Sequence, residues 1–472
     1  MLSMNWSQSA FLFVIVQIVL AVCVTGHVLL TKRDTSAATG WIGICWLLPV
    51  FGSLLYLMFG INRVQRRGQK MLAADTLPLN PELEALRCEP PGPMQPLGHM
   101  LDRLTDRQLL RGNSIRCLHN GDQAYPAMLA AIAQAQHSVL LSSYIFRADR
   151  VGQAFIGALA EAHRRGVEVR VLVDGIGSGY FYCPTQRALK RAGVPCARFM
   201  HSFWPWRMAF INLRNHRKIL VVDGHTGFMG GLNIAAQNVL SQPSAHPVAD
   251  THFQLEGPVV EQLADAFTRD WAFTTGEELQ GKKFFPPTEI RGEIPARIVT
   301  SAPDADMEKI EYTMLQAIIL ARRNVCFMTP YFIPDGRFAT ELGLAALRGV
   351  RVDIVVPHHS NHPVIDWARN GCLEPLVEVG CHIWLAPPPF NHSKLMVVDG
   401  SWSFVGSANL DRRSLRLNFE INMALYDVPL AEGLEAFMAS HRGHELTLQE
   451  LREWSLAERL RNAAVRLLLP YL

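Results

Sequence analysis

His216-Arg217-Lys218 is followed by Asp223, and His392-Ser393-Lys394 by Asp399, so that both segments read His-x-Lys-x-x-x-x-Asp. Each copy runs into a turn of small residues that ends in asparagine: Gly230-Gly231-Leu232-Asn233 in one, Gly406-Ser407-Ala408-Asn409 in the other. Imidazole, ammonium and amide are groups that grip a phosphodiester and attack it. Lys218, Lys394, Asn233 and Asn409 can donate to non-bridging phosphate oxygens and stabilise the charge that grows in the transition state. One imidazole can attack phosphorus while the other protonates the leaving oxygen. Two ammonium groups take the place of a metal ion, so no metal and no other cofactor is expected. A single motif this short is weak. Two copies, each with its own turn, are not.

The segments Lys218–Asp223 and Lys394–Asp399 read as strands. Side chains alternate along a strand, so His and Lys two residues apart share a face. The candidate catalytic set is the signature itself: His216, Lys218, Asp223, His392, Lys394 and Asp399. Within it, Asp223 and Asp399 end their strands and are expected to anchor a turn or pair with nearby donors rather than do chemistry. An attacking imidazole needs an orienting acceptor on its other nitrogen. Glu420 is the candidate in the second half and Asp250 its weaker counterpart in the first. Which carboxylate supports which histidine is open at this level.

Around the signatures the chain repeats itself. In the first half the strand-like Ser138–Phe146 passes Tyr144, and a helical stretch closes at Arg165-Gly166-Val167. The strand Glu168–Asp174 follows, then a helix closing at Ala192-Gly193-Val194 and a further strand before the first signature. The second half runs the same course. Asn324–Phe332 contains Tyr331, a helix closes at Arg348-Gly349-Val350, and the strand Arg351–Val356 follows. A helix closing at Val379-Gly380 and the strand Cys381–Leu385 then lead to the second signature. Glycine after a helical run is a C-cap, and the β-rich apolar runs after it suit buried strands. The alternation predicts an α/β protein with two tandem α/β/α halves, residues 101–295 and 296–472, each with a central, largely parallel sheet. Facing halves would bring one signature each to a shared active-site cleft.

The 472 residues are 49% hydrophobic and 18% charged, and the apolar excess sits at the N-terminus. Ala10–Leu30 as a helix would reach about 31 Å, close to the thickness of a bilayer's hydrocarbon core. After the polar stretch Thr31–Gly40, Trp41–Gly60 is a second apolar run. Residues 1–65 are therefore expected to form a two-helix transmembrane hairpin. No Lys or Arg precedes the first run, which disfavours a cleavable signal. Arg63, Arg66, Arg67 and Lys70 outnumber Lys32 and Arg33 of the connecting loop and favour a cytoplasmic body. Residues 66–100, rich in proline from Pro78 to Pro96, read as a juxtamembrane linker.

A net charge of +3 does not call for nucleic acid, and nine scattered cysteines without a C-x-x-C point to free thiols. Three histidines crowd the loop Pro357-His358-His359-Ser360-Asn361-His362. With no acidic partner adjacent, it reads as a solvent-facing loop rather than a metal site. The aromatic segments Phe203-Trp204-Pro205-Trp206 and Trp384–Phe390 precede the signatures and suit either core packing or contact with lipid headgroups.

These features resemble the phospholipase D superfamily and, within it, the bacterial cardiolipin synthases. The resemblance is carried by Asn215-His216-Arg217-Lys218, by Thr329-Pro330-Tyr331-Phe332-Ile333-Pro334, and by Gly406–Asp411 through Asn418-Phe419-Glu420. Leu55-Tyr56-Leu57-Met58-Phe59-Gly60 and Arg466-Leu467-Leu468-Leu469-Pro470 also fit, and the match follows the chain in order. The resemblance implies transfer of a phosphatidyl group between two phosphatidylglycerol molecules through a phosphohistidine, giving cardiolipin and glycerol. It implies His216 as nucleophile and His392 as acid/base, or the reverse. It also implies membrane phospholipids and the bilayer as partners, no nucleic acid, and a multi-pass place in the bacterial inner membrane. Asn361 departs from the family pattern, where an acidic residue is expected, which leaves headgroup or acceptor preference open. Water and a lipid hydroxyl compete for the same intermediate. The alternatives are therefore a phospholipase D-type hydrolase and a phosphatidyltransferase using another phospholipid donor.

Overall fold

The computed structural model describes residues 6–32, 35–48, 50–60, 81–200, 213–303 and 308–468. They belong to two compact units, an N-terminal group of helices and a larger body. The expected headgroup-contacting segment Phe203–Trp206 and the basic cluster Arg63, Arg66, Arg67 and Lys70 lie outside the described residues.

In the N-terminal unit, α1 (Trp6–Thr31) is followed by α2 (Thr35–Leu47) and α3 (Phe51–Leu55), then by a π-helical turn, Tyr56–Gly60. Residues Phe11–Thr31 are long and apolar enough to cross a membrane. Large apolar side chains such as Phe11, Val19 and Leu30 are exposed, as on a helix whose surroundings are apolar. The second run is not the single span expected. It is broken between α2 and α3, where Val50 has a φ of 59°. Proline 49 has no amide hydrogen to continue a helical ladder. The 13 residues of α2 reach about 20 Å, short of a hydrocarbon core of about 30 Å. Trp46 Nε1 donates to Thr25 Oγ1 at 3.1 Å, and His27 Nδ1 lies 2.7 Å from the Tyr56 hydroxyl. These bonds tie the later pieces back to α1.

The body departs from a simple linker at its start. The proline-rich stretch is structured from Pro81 onward, with helical turns at Pro81–Glu84 and Gly92–Met94 and a helix at Gln95–Leu104. Pro93 and Pro96 occupy the first turns of their helices, where no amide hydrogen bond is lost. Met94, Leu97 and Leu101 are buried in the core of the second half. Cys88 N also donates to Leu109 O at 3.0 Å.

The strands of the first half are β1 (Leu110–His119), β2 (Ser138–Ser143), β3 (Glu168–Asp174), β4 (Cys196–Phe199), β5 (Ile219–Val222), β6 (Thr226–Gly230), β7 (Val248–Ala249) and β8 (Thr251–Glu256). Those of the second are β9 (Ile294–Ser301), β10 (Asn324–Met328), β11 (Arg351–Pro357), β12 (His382–Ala386), β13 (Phe390–Asn391), β14 (Leu395–Val398), β15 (Trp402–Gly406), β16 (Glu420–Leu425) and β17 (His444–Glu445). All but β7 and β13 join one sheet of 15 strands, ordered β4-β3-β2-β5-β6-β8-β1-β9-β16-β15-β14-β10-β11-β12-β17. The order β4-β3-β2-β5-β6-β8 in one half matches β12-β11-β10-β14-β15-β16 in the other. The halves meet where β1 pairs antiparallel with β9.

The sheet is mixed rather than largely parallel. Within it, β2-β3-β4 and β10-β11-β12 run parallel and the other pairs are antiparallel. The reason lies at the ends of the signature strands. Asp223 (φ 52°) and Gly224 (φ 68°) form a tight turn, closed by His225 N donating to Val222 O at 3.1 Å. Asp399 (φ 55°) and Gly400 (φ 60°) repeat it, with Ser401 N on Val398 O at 3.2 Å. Positive φ at both central residues is the type I′ hairpin geometry that Asp-Gly favours. Each signature strand therefore folds straight back on itself. Leu220 and Val222 of β5 enter the first-half core with Phe155 and Leu159. In the second half, Met396 and Val398 of β14 join Phe327, Phe338 and Leu342.

Candidate active site

Each histidine is placed by a strand-like contact with the opposite half. Asn215 bridges in parallel to Phe419, with His216 N donating to Phe419 O at 2.9 Å and Phe419 N to Arg214 O at 2.8 Å. The residue after Phe419 is Glu420, and its Oε2 lies 3.0 Å from His216 Nδ1. In the other direction β13 pairs with β7, and His392 N donates to Ala249 O at 2.7 Å. The residue after Ala249 is Asp250, and its Oδ2 lies 2.9 Å from His392 Nδ1. The support is crossed: the second half's carboxylate orients the first half's histidine, and the reverse.

The carboxylates are themselves fixed. Glu420, fully buried, accepts from Ser407 Oγ at 2.5 Å and from Asn418 Nδ2 at 3.1 Å. Asp250 accepts from Thr251 N at 2.8 Å. Behind His216, Arg217 donates to Glu420 O at 3.0 Å and to Asp270 at 2.7 Å. Asp270 also accepts from Asn215 Nδ2 at 2.9 Å.

The two imidazole rings stand 6.5 Å apart, centroid to centroid, at 78°. They open into a cleft of about 330 Å³ that Asn233, Asn409, Tyr144 and Tyr331 also line. The Tyr144 ring lies 4.9 Å from His216 and the Tyr331 ring 6.1 Å from His392. Lys218 Nζ donates to His216 O at 2.7 Å. Lys394 Nζ bonds His392 O and lies 2.8 Å from His392 Nδ1.

Burial dominates the electrostatics. It pushes His216 down to about 4; Glu420 opposes the shift, while Lys218 and Lys394 add to it. His392 falls to about 3, through burial and then Lys394. Both rings are therefore neutral near pH 7. A carboxylate can only accept, so on His216 the ring proton sits on Nδ1 and Nε2 keeps its lone pair. Burial also lowers Lys218 to about 7 and Lys394 to about 8. An anion entering between these groups favours their charged forms, restoring the ammonium groups and raising the imidazole that serves as acid.

The structure thus lines one cleft with His216, His392, Asn233 and Asn409 and sets Lys218, Lys394, Asp250 and Glu420 against the two histidines. Asn233 Oδ1 accepts from Ile145 N at 3.1 Å, and Asn409 Nδ2 donates to Ser414 Oγ at 3.2 Å.

Asp223 and Asp399 are the correction to the catalytic set. Asp223 accepts from the backbone amides of Gln136, His137 and Ser138, at 2.9, 2.7 and 2.8 Å. Asp399 does the same for Arg322, Arg323 and Asn324, at 3.0, 2.7 and 3.0 Å. Both sit at the hairpin turn, one strand length from the histidines, and fasten the start of the neighbouring strand.

Sequence alone does not single out Tyr144, Tyr331, Ser407 or Asn418. The tyrosines follow corresponding strands of the repeat, which is the signal that marks them. The small residues before each asparagine also have a reason. A Cβ on Gly231 would run into the Asp250 carboxylate, while the second half places Ser407 there as a donor to Glu420. His358 and His359 are exposed, and among the described residues no three His, Cys, Asp or Glu side chains gather as a metal site. Trp384 is pinned by a 2.8 Å bond from Nε1 to Asp353 and by Arg442 over its ring, a packing role.

Comparison with known proteins agrees with this architecture. The family model described as cardiolipin synthase, phospholipase D-like domain, matches residues 128–271 and 314–442. A phospholipase D-nuclease N-terminal model matches residues 12–60. The major cardiolipin synthase of Bacillus subtilis strain 168 is 31% identical over 98% of this chain and 98% of its own. The cardiolipin synthase of Geobacillus thermodenitrificans is 34% identical over 84% of this chain and 81% of its own. Among solved structures, the phosphatidylserine synthase of Haemophilus influenzae superposes with a TM-score of 0.62 at 13% identity, over 80% of this chain and 100% of its own, a likeness of fold. With a duplicated His-x-Lys site, a matching N-terminal segment and near full-length relatives, the chain belongs to the cardiolipin synthase family of phospholipase D-like proteins.

Proposed function

We propose that the protein is a membrane-associated phosphatidyltransferase that joins two phosphatidylglycerol molecules into cardiolipin and glycerol. The observation that carries the mechanism is the pair of buried, neutral imidazoles at 6.5 Å, each oriented by a carboxylate of the other half. In the first step His216 Nε2 attacks phosphorus of the donor lipid, and a P–N bond forms as the P–O bond to the glycerol headgroup breaks. His392, protonated once the anionic lipid is bound, gives its proton to the leaving glycerol oxygen. In the second step neutral His392 takes the proton from a hydroxyl of the acceptor lipid. That oxygen attacks phosphorus, the P–N bond breaks, and His216 is free again. Lys218, Lys394, Asn233 and Asn409 hold the non-bridging oxygens and stabilise the charge that develops on them.

The membrane supplies both substrates. We place α1 across the bilayer and the body on its cytoplasmic face, supported by the basic cluster Arg63, Arg66, Arg67 and Lys70. In a bacterial cell that bilayer is the inner membrane. The broken second run would then enter the bilayer as a shorter arm.

Purified protein in vesicles with labelled phosphatidylglycerol tests the reaction. Cardiolipin and glycerol in equal amounts are expected. Phosphatidic acid with no cardiolipin would replace this reading with a hydrolase. Transfer from phosphatidylethanolamine but not phosphatidylglycerol would change the donor.

A further inference from the structure

The acceptor in this reaction is itself a phospholipid. Its attacking hydroxyl is separated by a single glycerol from its own anionic phosphodiester. When it attacks, two phosphodiester groups must occupy one half-buried cleft, and like charges this close repel strongly where water is excluded. The two histidines, two lysines and two asparagines account for the reacting phosphate. The second one needs a counter-charge one glycerol away.

The cleft wall beside His216 carries it. Arg214 and Arg413, one from each half, both line the cleft. The charges of Arg214 and Arg413 both bear on the Tyr144 hydroxyl, and the Tyr144 ring lies against His216 at 4.9 Å. Both guanidiniums thus share the cleft wall with Tyr144 and the attacking imidazole. Both arginines are partly buried. They are close enough that Arg413 is held below its ordinary range, by burial first and then by the charge of Arg214. The carboxylates that bear on them are Asp174 and Asp411. A planar guanidinium presents paired N–H donors that match phosphate oxygens, and an anion between two of them relieves their mutual repulsion.

We infer that Arg214 and Arg413 form a second phosphate subsite, which holds the phosphodiester of the acceptor lipid while its hydroxyl attacks the phosphatidyl-enzyme. The inference rests on the transferase reading above. It makes the site selective for acceptors that carry their own phosphate over free alcohols, and it needs both halves of the chain, as the catalytic site does.

The test compares two acceptors in the same preparation. Vesicles of phosphatidylglycerol in phosphatidylcholine are supplied with labelled free glycerol. Cardiolipin reports transfer to a phosphate-bearing acceptor, and label appearing in phosphatidylglycerol reports transfer to one without phosphate. For Arg214→Gln and Arg413→Gln the ratio of cardiolipin formation to glycerol exchange should fall about tenfold or more, the size of a lost hydrogen bond to a charged group. The fall should come mainly from a higher KM for phosphatidylglycerol, and Arg413→Lys should recover part of it. Measurable exchange in the same variant shows that it is folded. A ratio unchanged in both Gln variants overturns the subsite while leaving the transferase reading intact. A wild-type protein that forms neither product and yields only phosphatidic acid overturns both.

Discussion

Replacing Glu420 by Gln tests the crossed support of His216 with little change in shape. The carboxylate accepts three side-chain hydrogen bonds: Oε2 from His216 Nδ1 at 3.0 Å and Ser407 Oγ at 2.5 Å, Oε1 from Asn418 Nδ2 at 3.1 Å. Glutamine offers one oxygen and one NH2. If the oxygen keeps His216, the NH2 faces the Asn418 amide; if it keeps Asn418, the NH2 faces the histidine. Glu420 is also the charge that opposes the lowering of His216. Without it, the positive charge that His216 carries as a phosphohistidine loses its buried counter-ion. Hydrogen bonds to charged groups contribute about 1.5–3 kcal/mol net. Taking about 2–3 kcal/mol for this site, kcat/KM should fall about 30- to 150-fold in Glu420→Gln. The acidic limb of the pH profile should also move lower, because the substitution removes the group that raises His216. Initial rates of cardiolipin formation in vesicles between about pH 4 and pH 8 measure both effects. A variant within about threefold of wild type, with an unmoved acidic limb, would refute the assignment of Glu420 to His216.

His216→Ala and His392→Ala should each abolish cardiolipin formation. In wild-type protein quenched during turnover, the phosphatidyl adduct should be found by mass spectrometry on the peptide containing His216; an adduct on the peptide containing His392 would reverse the roles. For the free enzyme, kcat/KM should rise as His216 loses its proton near pH 4. It should fall as Lys218 and Lys394 lose theirs near pH 7 to 8, because the lowered lysines hold phosphate only while charged. Constant activity to about pH 9 would contradict that limb. Gly231→Ala should push the Asp250 carboxylate off His392 and cost about tenfold in rate. Combined with Asp250→Asn, it should add little, and full additivity would place its effect elsewhere. Chelation by EDTA should leave activity intact, and a loss restored by a divalent ion would overturn the two-lysine account.

Much of the site is legible because its parts lie close together in the chain. His216 and Lys218 are two residues apart, and the repeat makes the second copy an independent witness. The pairing of carboxylates is not legible. It depends on the bridge between Asn215 and Phe419 and on the pairing of β13 with β7, contacts between halves that no local spacing encodes. The mixed sheet had a signal, the Asp-Gly pairs at 223–224 and 399–400. Strand–helix alternation outweighs it when the chain is read segment by segment. The two Asp residues close the signature, but their place at the strand ends already points to a turn, and their positive φ and three amide partners each make them turn residues. The second apolar run misleads for a different reason. Hydropathy registers what a side chain prefers, not that residue 49 is a proline without a backbone donor.

The exchange of carboxylates between halves bears on what a duplicated gene gains. In an assembly of two identical halves the same crossed contacts would make both histidines equivalent, and nothing would distinguish attacker from proton donor. Joined in one chain, the halves are free to differ, and here they do. One histidine faces a glutamate held by Ser407 and Asn418, while the other faces a shorter aspartate lodged against Gly231. The fused chain can thus assign each imidazole a separate task. Neither half carries a complete histidine–carboxylate pair of its own, so the site exists only where two halves meet.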